Sequence, residues 1–199
     1  WLGLPPEFFG MIHDTASSST FHALGAARVM ADPDLRQRGS TPGFTVYCSE
    51  HAHSSIEKGA LALGFGQENI KKVPVDDAFR MRPDLLAAAI AADRTAGLRP
   101  CCVVSSVGTT SVTSIDPVAE IQTIAEREGL WHHIDAAYGG VAAMLPENRW
   151  MLAGAGRADS LVVNPHKWLF TPFDISAFYC RRPDALREAY ALVPPYLAS

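Results

Sequence analysis

Two spacings of apolar residues alternate along the chain. In the stretches 19–31, 54–63, 83–96, 117–128 and 183–191, apolar positions recur every three to four residues, as on one buried helix face. Pro83, Pro117 and Pro183 stand at the starts of three of them, where a helix needs no N–H. Asp116-Pro117 reads as an N-cap followed by the first helical residue. Between these stretches lie short compact apolar runs at 44–49, 70–75, 102–107, 130–135 and 160–163, which predict buried strands. A further run, 176–180, follows Lys167 and reads as an added antiparallel strand. Strands alternating with helices of about ten residues predict an α/β fold with a mostly parallel sheet flanked by helices. No repeat, low-complexity segment or linker breaks the alternation, so 1–199 reads as one domain. In an open parallel sheet, ligands sit beyond the carboxyl ends of the strands. Polar residues gather at four such places: 49–53, 108–110, 135–138 and 164–167.

Composition removes several classes of function. With 48% hydrophobic and 19% charged residues, the chain can bury a real core. A formal net charge of −4 and the lack of a basic stripe argue against nucleic acid as a partner. The uncharged stretch 101–115 is too short, and too rich in Ser, Gly and Thr, to span a membrane. Cys48, Cys101, Cys102 and Cys180 form no CxxC pair and read as buried free thiols of a reducing compartment. No export signal is recognisable, so a cytoplasmic location is expected. Trp1-Leu-Gly-Leu-Pro-Pro opens like the middle of a chain, and Val193-Pro-Pro-Tyr-Leu-Ala-Ser closes without an element to dock it. The expectation is part of a longer protein.

Five stretches carry candidate chemistry. Lys167 follows an apolar strand inside Asn-Pro-His-Lys-Trp (164–168), and a lysine amine tuned by its surroundings can form a Schiff base. Asp135 ends a strand before Ala136-Ala137, where a buried carboxylate needs a cationic or donor partner. A protonated pyridine nitrogen would be such a partner, and the alanines leave room for a flat ring. His13-Asp-Thr-Ala-Ser-Ser-Ser-Thr20 precedes a helix and offers N–H and hydroxyl donors to a phosphate. His53, after a strand, could stack on an aromatic cofactor, and Ser106-Val-Gly-Thr-Thr-Ser111 adds hydroxyls at another strand end. Taken singly, each has an ordinary reading: a loop lysine, a capping aspartate, a Ser-rich N-cap, a structural histidine. Together they place a phosphate cup, a stacking histidine, a pyridinium carboxylate and a Schiff-base lysine in one order, the combination found in pyridoxal-phosphate sites.

From about Gly10 onward the chain resembles the group II pyridoxal-phosphate-dependent amino-acid decarboxylases of the aromatic-amino-acid type. Asn-Pro-His-Lys-Trp (164–168), His-Ile-Asp-Ala-Ala-Tyr (133–138) and His-Ser-Ser-Ile-Glu (53–57) carry the resemblance. It implies the aspartate-aminotransferase type of fold, of which 1–199 would be part of the large cofactor-binding domain. It implies Lys167 as the Schiff-base residue, Asp135 on the pyridine nitrogen and His53 stacked on the ring. Thr15, Ala16 and Ser17 would hold the phosphate, and Ala137 would pack under the ring. Thr110 would contact the cofactor, with Asn164 and His166 serving it beside the lysine. It also implies a homodimer and decarboxylation of an L-amino acid, aromatic by default, to an amine and CO2. The family's segments that wrap the partner subunit and close the substrate pocket fall outside this sequence.

Other readings compete. An aminotransferase or an aldehyde synthase would share the lysine and the aspartate, and a truncated product would lack catalysis. His51-x-His53, His132-His133 and Cys101-Cys102 raise metal binding, but they lack the paired spacings of structural zinc sites. Neither GxxxxGK[ST] nor GxSxG occurs, and Gly64-Phe-Gly-Gln-Glu-Asn69 lacks the last glycine of a dinucleotide fingerprint.

Overall fold

The computed structural model describes residues 1–39 and 42–192. Seven strands form one sheet: β1 (Phe9–His13), β2 (Phe44–Ser49), β3 (Ile70–Val73), β4 (Arg99–Ser106), β5 (Trp131–Asp135), β6 (Ser160–Val163) and β7 (Ser176–Cys180). Their spatial order is β1-β7-β6-β5-β4-β2-β3. From β3 to β6 the strands run parallel, and β7 and β1 close the far edge antiparallel. The helices are α1 (Ala16–Ala31), α2 (Leu35–Arg38), α3 (Ser55–Ala62), α4 (Pro83–Thr95), α5 (Val118–Glu128), α6 (Pro165–Trp168) and α7 (Pro183–Tyr190). The 3-10 turns at Gly139–Met144, Pro146–Leu152 and Ala155–Arg157 fill the link from β5 to β6.

One apolar cluster joins α1, α3 and α7 to one face of the sheet, with Leu24, Ile56 and Phe178 fully buried. On the other face Leu86, Ile90 and Ile121 of α4 and α5 pack on Tyr47 and Val103. Sealing both faces makes the parallel strands continuous apolar runs, which is why they are legible in the sequence. All four cysteines are buried and free.

Several boundaries differ from the sequence reading. The first helix starts at Ala16, three residues before the predicted 19, because the hydroxyl-rich stretch is its first turn. Thr15 is the N-cap, its Oγ1 accepting the Ser18 N–H at 3.2 Å. Asp116 does not cap α5. Its carboxylate instead accepts the N–H groups of Met81 and Ser106, both at 2.7 Å, and ties the 74–82 hairpin to the end of β4. Pro74 ends β3 at Val73, and Val75 pairs across that hairpin with Met81. β4 begins at Arg99 and ends at Ser106, and β1 is an element the pattern did not predict. The expectation about 193–199 lies outside the described residues.

Two glycines bring the loops after β4 and β5 into contact. A Cβ on Gly139 would stand 2.6 Å from the Val107 carbonyl, to which Gly139 donates its N–H at 2.9 Å. Gly108 adopts φ +85°, and a Cβ there would meet the Gly139 nitrogen at 2.9 Å. Side chains at both positions are therefore excluded, and residues 109–110 and 137–138 converge on one space.

Candidate active site

That space is a cavity of about 290 Å³ at the carboxyl ends of the central strands, beside the N-terminus of α1. All ten residues singled out from the sequence line it. Thr15, Ala16 and Ser17 arrive from the start of α1, His53 from the turn after β2, and Thr110 from the loop after β4. Asp135 and Ala137 come from the end of β5, and Asn164, His166 and Lys167 from the end of β6 and from α6. The site thus has the position that an open parallel sheet gives to its ligands.

One wall is a set of donors. The N–H groups of Ala16 and Ser17 lie in the first turn of a 16-residue helix, where no intrahelical carbonyl can take them. His166 Nδ1 receives the Ile175 N–H at 3.1 Å, which leaves the ring proton on Nε2. Asn164 Nδ2 lies 3.4 Å from that Nε2, and its Oδ1 is taken by the Ser176 hydroxyl at 2.7 Å. Two donors therefore face each other with no protein acceptor between them, beside a helix N-terminus. An anion is what such a set lacks.

Elsewhere the lining offers an acceptor. Asp135 is 8% exposed and takes the Ala137 N–H on Oδ1 at 3.2 Å. No hydrogen bond to its other oxygen is made among the described residues. Ser106 is in register with Asp135 on the neighbouring strand and also lines the cavity. Its buried Oγ has no hydrogen-bond partner among the described residues. Thr110 sits on a loop held by Thr109, whose Oγ1 lies 3.0 Å from Ser114 Oγ and accepts the Ser114 N–H at 3.1 Å. His53 is held through Nδ1 by Ser55.

Of the four lysines, only Lys167 lines the cavity. Lys71 is paired with Asp93, and Lys72 with Glu57. Lys167 has no ion pair among the described residues, and its Nζ stands 6.0 Å from the Tyr138 ring centroid. Tyr138, Phe173 and Asp174 also line the cavity without having been singled out for a role. Tyr138 was visible in His-Ile-Asp-Ala-Ala-Tyr, but 173–174 lie where no pattern marks an element. Among the described residues no three His, Cys, Asp or Glu side chains gather as a metal would require. His132 is instead held by Ser105 and Gln122, and His133 by Ser160.

A donor wall without an anion, a carboxylate with a free oxygen, an unpaired lysine amine and small residues between them fit a phosphorylated pyridine aldehyde. Residues 2–199 match the pyridoxal-dependent decarboxylase conserved domain. The chain belongs to that family. Aromatic-L-amino-acid decarboxylase of Bos taurus is 41% identical to it, over 99% of this chain and 44% of its own length. The crystal structure of Oryza sativa TDC with PLP and tryptamine superposes with a TM-score of 0.91 at 35% identity, covering 100% of this chain and 43% of that one. Rhodiola rosea 4-hydroxyphenylacetaldehyde synthase gives a TM-score of 0.89 at 32% identity, over 96% of this chain and 42% of its own. The fold is the fold type I of pyridoxal-phosphate decarboxylases. The chain spans less than half the length of these relatives.

Proposed function

We propose that the whole protein decarboxylates an aromatic L-amino acid to its amine and CO2, with this chain supplying the cofactor-binding core. The observation that carries the reading is the convergence of Lys167, Asp135 and the donor wall on one cavity. In this reading the N–H groups of Ala16 and Ser17, with Thr15, Asn164 and His166, hold the phosphate. Asp135 holds a proton at the pyridine nitrogen, and Ala137 leaves room for the ring. Thr110 contacts the cofactor, His53 stacks on its ring, and Lys167 Nζ is its covalent anchor. Bound pyridoxal phosphate supplies the electron sink that accepts the pair left when the Cα–carboxylate bond breaks. The role of Asp135 is to keep that sink positively charged while the bond breaks. Phe173, which lines the cavity and is 81% exposed, and Phe170, 92% exposed three residues before it, support a homodimer in which a second copy covers this side. We read the protein as cytoplasmic.

Full-length protein incubated with pyridoxal phosphate and reduced with borohydride should carry the label on Lys167, and it should release CO2 from L-DOPA, tyrosine, tryptophan or histidine. Label on Lys58 or Lys72, or no CO2 from any of the four, would refute the assignment. The similarity to an aldehyde synthase keeps a second reading in play. Aldehyde, ammonia and peroxide formed with consumption of O2, in place of the amine, would establish it.

A further inference from the structure

His53 enters the cavity on two hydrogen bonds supplied by the helix that follows it. α3 begins at Ser55, whose N–H falls in the first turn and has no intrahelical carbonyl. That N–H donates to His53 Nδ1 at 3.1 Å, and Ser55 Oγ lies 2.8 Å from the same nitrogen. A ring nitrogen that accepts a backbone N–H carries no proton of its own, so the hydroxyl donates to it as well. The proton of the neutral ring then stands on Nε2. Ser55 is 3% exposed, so water does not compete for its hydroxyl. His53 itself is exposed at the cavity, and its Nε2 has no protein partner among the described residues.

We propose that Ser55 is a positioning residue that locks His53 in its Nε2–H form and fixes the ring at the cavity, so that the edge facing a ligand is always a donor. The consequence for turnover rests on the function proposed above, whereas the tautomer is a property of this chain alone. A serine needed only to start α3 would leave the tautomer untouched when its hydroxyl is removed. Here the helix start takes no side-chain cap bond from Ser54, and the hydroxyl of Ser55 is spent on the imidazole.

The test uses full-length protein carrying ¹⁵N-histidine, with and without pyridoxal phosphate, and His53→Gln to assign the ring signals. Wild type should show His53 in one neutral form, with the proton on Nε2. Ser55→Thr keeps a hydroxyl and should preserve both that pattern and the rate. Ser55→Ala and Ser55→Gly keep the backbone donor at 3.1 Å but lose the shorter hydroxyl bond of 2.8 Å. A minor Nδ1–H form should then become detectable as the ring loosens, and kcat should fall about tenfold or more, since a histidine in the wrong tautomer is a poor catalytic partner. KM and cofactor affinity should move far less. A single Nε2–H form retained in both hydroxyl-free variants would overturn the proposal, as would a tautomer change with kcat unaltered. Failure of wild type to bind pyridoxal phosphate would instead refute the functional reading, while the cofactor-free spectra still decide the tautomer.

Discussion

Asp135 is the residue on which a single substitution says most. One carboxylate oxygen is fixed by the Ala137 N–H, and the other is free for a ligand in the cavity. Asp135→Ala should leave the fold largely intact, since it removes one hydrogen bond of 3.2 Å and no ion pair among the described residues. It should lower kcat by ~10²–10³, as removing one preorganised electrostatic contact commonly does. Near-normal turnover in steady-state assays would show that the ring nitrogen needs no carboxylate. The cysteines make a second prediction at this scale. Burial pushes the Cys48 thiol up to about 11 and Cys101 up to about 12. Both should resist iodoacetamide in the native protein and react only after unfolding, which mass spectrometry of the alkylated peptides reads directly. The site residues were legible because each type needs a reason to sit at a strand end, and a lysine, an aspartate and a histidine there shared one. Ser106 shows the limit: its unpartnered hydroxyl distinguishes it from Ser105, which bonds His132, and nothing in Ser-Ser separates the two.

Among the elements, the 74–82 hairpin closes its own turn through Asp76, which accepts the Ala78 and Arg80 N–H groups, and is tied to the sheet by Asp116. The two N–H groups that Asp116 accepts are buried, so Asp116→Ala should cost about 2–3 kcal/mol, the penalty of unsatisfied buried donors. The pH dependence of that cost has a definite sign. Burial raises the Asp116 carboxyl from its ordinary 3.8 to about 6, so the folded state binds its proton more tightly than the unfolded chain. This contribution is fully present below pH 3.8 and is lost as pH rises through about 6. Chemical denaturation of wild type and Asp116→Asn should therefore show a larger difference at pH 4 than at pH 7. A difference that grew with pH would mean that the carboxylate is the better-held form. Asp-Pro misled the sequence reading here, because the side chain found two backbone donors from other segments before it could serve its own helix. β1 escaped notice for another reason. Phe9-Gly-Met-Ile-His13 is a short edge strand whose outward positions, Phe9 and Ile12, are themselves apolar, so no apolar–polar alternation marks it in the sequence.

For the molecule as a whole, acid is the condition to which the core is most sensitive. Burial pushes both His132 and His133 down to about 3, so each is neutral in the folded protein and binds a proton far more readily when unfolded. Stability is therefore complete above pH 6.5 and falls as pH drops toward 3. Each imidazole contributes about 1.4 kcal/mol per pH unit in that range. Asp116, between 3.8 and 6, and Asp159, whose carboxyl burial also raises, act in the opposite sense, and the two imidazoles, pushed further from their ordinary value, outweigh them. Urea midpoints measured from pH 7.5 to 4.5 should decline, and a flat profile would show that water reaches these rings. The parallel body of the sheet was readable from its doubly covered apolar strands, while the order in which the strands lie was not, since adjacency in space is set by crossovers that leave no local mark. That order has a consequence for synthesis. β1 pairs with β7, Phe9 opposite Cys180, and so one segment waits for another made much later. Until 176–180 leaves the ribosome, the strand leading into Thr15 has no neighbour to bind. The two halves of the donor wall, 15–17 and 164–166, are then joined only after β7 has been made. Nascent chains arrested before β7 should be unable to retain pyridoxal phosphate, however well the central strands have already formed.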